Sequence, residues 1–207
     1  MAKRLHYFDF NGLAESIRYI LHYGNHKFED VRYGNNEWPN EKVKEFLPFG
    51  QMPLYQEGDR NLNQSVAIAR YVGTLSNLVP SDPWEQAVLD AVLIYSWYLF
   101  AEACDFFREA DPARKEEKKK TFLTESIDYF FTRFEDQLAK NNGFFGGKLS
   151  WADFVFVGIV ESINVIFGAQ VESNYPNSSA LIQKIRNLPG VKEYIATRKK
   201  EYTIINQ

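Results

Sequence analysis

The chain has 207 residues, 45% of them hydrophobic and 16% aromatic, and a formal net charge of -3. That is enough apolar material for one large core or two small ones, and the near-neutral balance gives no electrostatic footprint for nucleic acid or an anionic membrane. The single cysteine, Cys104, excludes an internal disulfide and any CxxC redox or zinc-ribbon site, and it reads as core among helical apolar neighbours.

The amino terminus, Met1 to Phe8, has no apolar leader core. No later segment approaches the roughly 20 uninterrupted apolar residues of a membrane helix, so the expectation is a soluble, cytoplasmic protein. Leu5 to Phe8 predicts a short strand, and Ala14, Ile17, Ile20 and Leu21 recur at helical spacing over 14–23. Phe28 to Tyr33 reads as a second strand, 36–46 as an irregular polar stretch with a short helix, and Met52 to Gln56 as a third strand. Gly58-Asp59 turns the chain into a brief fourth strand at Asn61 to Asn63, and Gln64 to Leu75 follows as a helix. The order is βαβαββα.

Two prolines in Leu78-Val79-Pro80-Ser81-Asp82-Pro83 break this pattern, and only helical periods follow. The expected division is an α/β domain over 1–78, a linker at 79–83 and an all-helical domain over 84–207. Trp84, Ala87, Val88, Ala91, Tyr95, Tyr98 and Leu99 form one helical stripe, and Leu123, Ile127, Phe130, Phe131, Phe134 and Leu138 another. The charged run Arg114 to Lys120 is interrupted by Glu116 and Glu117 and reads as a solvated helix start. Ser150 and Asp153 stand at N-cap and N3 spacing behind Leu149, a capping box and staple that should fix the buried helix carrying Phe154, Val157 and Ile159.

The three histidines lie in the first 26 residues without metal-ligand spacing, and no GxSxG, P-loop or GxGxxG is present. The chemistry must rest elsewhere. In Phe49-Gly50-Gln51-Met52-Pro53-Leu54 the proline is a candidate cis bond that turns the Met52 N–H and C=O outward, where they can grip an extended peptide. Gln64-Ser65 opens the following helix, so polar side chains and free helical N–H groups meet where an anionic group could dock. Singly, each element also fits an ordinary strand entry or an ordinary N-cap. Tyr7 ends the first strand ahead of the loop Asp9 to Gly12, at the same sheet edge, and a phenol there can donate to an anion or simply pack in the core.

These residues together resemble the cytosolic glutathione transferases, most closely the sigma class of invertebrate type. The resemblance runs through Tyr7-Phe8 with Gly12, Ala14-Glu15 and Arg18, through Trp38-Pro39 and Pro48 to Pro53, through Gln64-Ser65 and Ala67 to Tyr71, and through Ser150 to Phe154. It implies a thioredoxin-like first domain, an all-helical second domain, a homodimer, and transfer of glutathione to small hydrophobic electrophiles in detoxification. By resemblance Tyr7 is the catalytic hydroxyl, and Phe8, Trp38, Lys42, Gln51, Met52, Pro53, Gln64 and Ser65 bind glutathione. Within that set Met52 meets the cysteinyl part, Gln64 and Ser65 the γ-glutamyl end, and Trp38, Lys42 and Gln51 the glycyl end. Phe10, Tyr95, Tyr98 and Phe100 are the candidates for the electrophile pocket, although any one of them also fits interhelical core.

Three departures qualify the resemblance. Leu13 stands where many relatives carry a basic residue, and the longer Trp38 to Pro48 segment leaves Lys44 as an alternative to Lys42. Ile94, Trp97 and Tyr98 occupy the positions at which vertebrate prostaglandin D synthases carry metal-binding acids, with Asp90 the nearest acid on that helix. The expectation is therefore no metal and no magnesium dependence. Alternatives to transfer are a glutathione-dependent prostaglandin-type isomerase and a binding or structural protein of low turnover.

Overall fold

A computed structural model describes residues 1–34, 37, 41–45 and 47–198, with only the backbone of 42 and 43. The first half contains β1 (Lys3–Phe8), a 3-10 turn (Gly12–Ala14), α1 (Glu15–Tyr23), β2 (Glu29–Tyr33), α2 (Glu41–Lys44), β3 (Leu54–Glu57), β4 (Arg60–Asn63) and α3 (Ser65–Leu75). The second half contains α4 (Pro83–Arg108), α5 (Pro112–Thr121), a π-helical turn (Phe122–Ser126), α6 (Ile127–Lys140), α7 (Trp151–Phe167), α8 (Pro176–Arg186) and α9 (Val191–Thr197). The predicted βαβαββα order, followed by helices alone, is the order that forms.

The strands make one mixed sheet in the order β2-β1-β3-β4. β1 runs parallel to β2, with Tyr7 opposite Arg32, and antiparallel to β3, with Leu5 opposite Tyr55. As an inner strand covered on both faces, β1 buries Leu5, His6 and Tyr7 in succession and does not alternate. α1 is buried from Glu15 through Leu21 because it lies between the sheet half and α7. Its polar side chains are matched accordingly: Arg18 pairs with Glu15 and Asp30, and the Tyr19 hydroxyl donates to Glu161 at 2.6 Å. The two helices touch at Gly158, where a Cβ would come within 3.1 Å of the Ser16 amide nitrogen.

The capping box forms as the spacing predicts. The Asp153 carboxylate accepts from the Ser150 N–H (2.7 Å), the Ser150 hydroxyl (2.8 Å) and the Phe145 N–H (3.0 Å), and α7 runs from there through the centre of the helical half. The charged run lies on α5, none of whose residues is buried, and Lys118 bridges Asp105 and Glu109.

The first helical stripe is corrected by the structure. On α4 the buried face is Leu89, Leu93, Ser96, Leu99, Phe100 and Ala103, whereas Trp84 (78% exposed), Ala87, Val88, Ala91 and Tyr98 (58%) face outward. Of the expected stripe only Leu99 is fully inside. Leu123 is likewise exposed, while Ile127, Phe130, Phe131, Phe134 and Leu138 pack as expected. By length and composition α4 is apolar enough to cross a membrane, yet one of its faces is committed to the helical core.

Candidate active site

Tyr7, on the inner strand, is only 5% exposed, and its hydroxyl oxygen accepts a hydrogen bond from the Leu13 N–H at 3.2 Å. The acceptor side of the phenol is thus used by the chain, which leaves its own proton for a ligand. Burial pushes the phenol pKa up to about 12, against the opposing pull of the Leu13 amide and Arg18, so the group is a neutral donor at physiological pH. Gly12, at φ +46°, makes the close turn possible: a Cβ there would lie 2.7 Å from the Tyr7 hydroxyl and 2.6 Å from the Phe10 ring.

The Met52-Pro53 bond is cis, as the sequence suggested. Pro53 is buried and Met52 half-buried just ahead of β3. Across from it Gln64, at φ 71° and ψ 114°, precedes α3 with no side-chain capping bond of its own, so α3 begins one residue later than predicted. The conformation aims its amide away from the helix, and the Gln64 Nε2 meets the Gln51 Oε1 at 3.4 Å. Ser65 is buried as the first residue of α3, among N–H groups that have no partner within the helix. Gln51, Met52, Pro53, Gln64 and Ser65 therefore converge at one end of the β3–β4 pair, where Leu54 lies opposite Asn63.

Trp38 lies outside the described residues, as does the Lys42 side chain. Lys44, the alternative to Lys42, pairs with Glu41 at 3.1 Å. Phe8 and Phe10 stack on each other with centroids 5.5 Å apart, and each meets the Tyr7 ring edgewise at 5.3 and 5.4 Å. Phe100 is buried against Trp97. Tyr95 stands apart from this group: its ring sits between Phe130 and Phe134, in the interhelical position its spacing also allowed. Tyr98 is exposed on the outer face of α4. A surface cleft of about 510 Å³ beside Leu78, Trp84 and Leu149 shares no lining residue with the Tyr7 cluster.

The family models of glutathione S-transferase match this chain twice, the N-terminal domain over residues 3–74 and the C-terminal domain over 99–198. The chain belongs to the glutathione S-transferase family. A glutathione S-transferase of Anopheles gambiae is 34% identical over 94% of this chain and 96% of its own length. Hematopoietic prostaglandin D synthase of Gallus gallus is 31% identical over 95% and 96% of the two chains. The solved structure of prostaglandin synthase D of Nilaparvata lugens superposes with a TM-score of 0.91 at 34% identity, covering 97% of this chain and 100% of that one.

The protein is thus a glutathione transferase, an enzyme with the α/β first domain and helical second domain of its family. Two residues of the transferase carry more than the sequence reading gave them. Asn63, which spacing marks only as the end of a strand, is buried and donates to the Gln51 carbonyl at 2.7 Å and the Pro53 carbonyl at 3.3 Å, holding the cis-proline loop to β4. The detectable signal was an amide at the inward end of a strand. Cys104, expected in the core, is half-buried on α4, and burial pushes its thiol pKa up. Among the described residues no group of three or more His, Cys, Asp or Glu side chains could hold a metal, and Asp90 lies 3.7 Å from Arg70.

Proposed function

We propose that Tyr7 holds glutathione as a thiolate and that this enzyme transfers it to small hydrophobic electrophiles, lipid-peroxidation products among them. The observation that carries the reading is the neutral Tyr7 hydroxyl, its oxygen occupied by the Leu13 N–H and its proton free to donate. Glutathione would lie extended along the sheet edge, its cysteinyl backbone on Met52, its γ-glutamyl end at Gln64 and Ser65, and its glycyl end toward Gln51, Trp38 and Lys42 or Lys44.

A free thiol with a pKa of about 8.5 is only a few per cent ionised at neutral pH. Lowering that value by about two units takes roughly 2.7 kcal/mol of preferential thiolate stabilisation. A hydrogen bond to a charged acceptor contributes about 1.5–3 kcal/mol and a helix terminus about 0.3–1 kcal/mol, so Tyr7 at the entrance to α1 is sufficient in magnitude. The sulfur lone pair then forms the new C–S bond. In an aromatic substitution the displaced electrons leave with halide; in addition to an unsaturated carbonyl they rest on an enolate that takes a proton from water. Phe8, Phe10 and Phe100 would line the apolar side of the cleft, and holding both reactants there lowers the entropic cost of their meeting.

The class we infer is sigma, the location cytoplasmic, and the assembly a homodimer closed across the outward face of α4, where Trp84, Val88, Ile94 and Tyr98 form an unpartnered apolar strip. The reading requires no metal, since Ile94, Trp97 and Tyr98 offer no carboxylate. Likeness to two proteins named as prostaglandin synthases favours glutathione-dependent isomerisation of a prostaglandin endoperoxide as a second reading on the same thiolate. Conjugation of chlorodinitrobenzene separates these enzymes from a protein that only binds glutathione. Turnover by the wild type, lowered about ten- to a hundredfold in Tyr7→Phe, is the expected result; binding of glutathione without turnover of any electrophile or endoperoxide would end both enzymatic readings.

A further inference from the structure

We propose that Arg18 is a positioning residue for the Tyr7 hydroxyl: its buried guanidinium ties down the loop whose next amide aims that hydroxyl at the thiolate. This rests on the thiolate reading given above. Arg18 is 0% exposed, in the middle of α1, and a buried guanidinium is unfavourable unless its donors are used. Its Nη1 donates to the carbonyls of Phe10 (3.3 Å) and Asn11 (3.2 Å) and to Glu15 Oε2 (3.0 Å), and Nε donates to both oxygens of Asp30 (3.1 and 3.0 Å), while Nη2 is buried without a hydrogen-bond partner among the described residues. The guanidinium carbon lies 5.9 Å from the centroid of the Tyr7 ring.

Chain connectivity gives these bonds their consequence. Asn11 is followed by Gly12 and then by Leu13, whose N–H is the group that meets the Tyr7 oxygen. With the carbonyls of 10 and 11 held, few backbone angles separate a fixed point from that amide. The outer end of the clamp is braced as well. Glu15 accepts from the Tyr194 hydroxyl of α9 and pairs with Arg198, and Asp30 pairs with Arg32 at 2.7 Å. The charged and titratable groups facing Arg18 are thus Tyr7 from β1, Glu15 and His22 on α1, Asp30 with Arg32 on β2, and Tyr194, stacked on His22, with Arg198 beyond it.

Glu15 and Asp30 already match the guanidinium charge, so what Arg18 supplies is the fork, which bonds two carbonyls and Asp30 at once. A lysine keeps the charge and cannot span those acceptors. The test is the pKa of bound glutathione, read from the ultraviolet thiolate band, together with the pH profile of kcat/KM, in wild type and Arg18→Lys. The expected variant is folded, with glutathione affinity little changed, a thiol pKa about one unit higher, a pH profile displaced by the same amount and kcat about threefold lower at pH 7, approaching tenfold lower at more acid pH. A folded Arg18→Lys with the wild-type thiol pKa and pH profile overturns the proposal. If Arg18→Lys does not fold, Asp30→Asn, at a partly exposed carboxylate, is read in the same way: an upward shift supports the clamp, and an unchanged thiol pKa overturns it. A wild type that leaves the glutathione thiol at its solution pKa defeats the thiolate reading instead.

Discussion

At the scale of single residues, the site turns on which atom of the Tyr7 phenol is available. Because the Leu13 N–H occupies the oxygen, replacement of Tyr7 by Phe should remove the one proton aimed at the sulfur while leaving the peptide-binding edge intact. The expected effect is a fall in kcat of about ten- to a hundredfold with KM for glutathione changed little, the size of one charge-assisted hydrogen bond. Steady-state kinetics at saturating electrophile measures it. The sign of the pH dependence follows from burial. A phenol held up to about 12 stays protonated through pH 9, so activity should rise as the bound thiol ionises and then stay level, with no fall from loss of the Tyr7 donor. Gly12 gives an independent check. Gly12→Ala places a methyl group 2.7 Å from the Tyr7 oxygen and strains a left-handed backbone, so it should lower kcat while leaving the helical half intact by circular dichroism.

At the scale of elements, the capping box at α7 links sequence to stability most directly. Asp153 carries three donors, and its replacement by Ala should lower stability by about 1–3 kcal/mol, read as a shift in the urea midpoint. Its burial outweighs those donors and raises the carboxyl pKa to about 6, so the folded state binds a proton more tightly than the unfolded chain does. The contribution from protonated Asp153 is therefore complete below the unfolded pKa of about 3.9 and is lost as pH rises through 6. The stability advantage of wild type over Asp153→Asn should shrink between pH 4 and 7. This element was legible because a cap is a local pattern, and so were the succession of strands and helices along the chain and the approach of Gln51 to Gln64 beside the cis-proline. The face of α4 was not. A helix with apolar residues on two sides yields two valid stripes, and spacing alone cannot say whether Trp84 and Tyr98 or Leu89 and Leu93 meet the core. The role of Asn63 was not legible for a related reason, since the Gln51 and Pro53 carbonyls reach it only through tertiary folding, and spacing left Tyr95 open between pocket and interhelical core until Phe130 and Phe134 closed on it.

At the scale of the whole molecule, that outward face becomes the basis of a prediction about assembly. Ile94 is 56% exposed between Trp84 and Tyr98, so Ile94→Arg should shift the protein from dimer toward monomer in sedimentation velocity at micromolar concentration. An unchanged dimer would place the interface elsewhere. Magnesium should leave kcat and KM unchanged, and a clear rate increase would show a cation site that Ile94, Trp97 and Tyr98 cannot build. In the proposed reading, sheet, helical domain and capped α7 together hold one phenol and the cis-proline loop in register, and the test of that proposal is the acidity of the bound sulfur. The pKa of glutathione bound to the wild type, followed by thiolate absorbance, should lie about two units below the free value of about 8.5 and return toward it in Tyr7→Phe. Bound glutathione with the same pKa in both proteins would contradict the account.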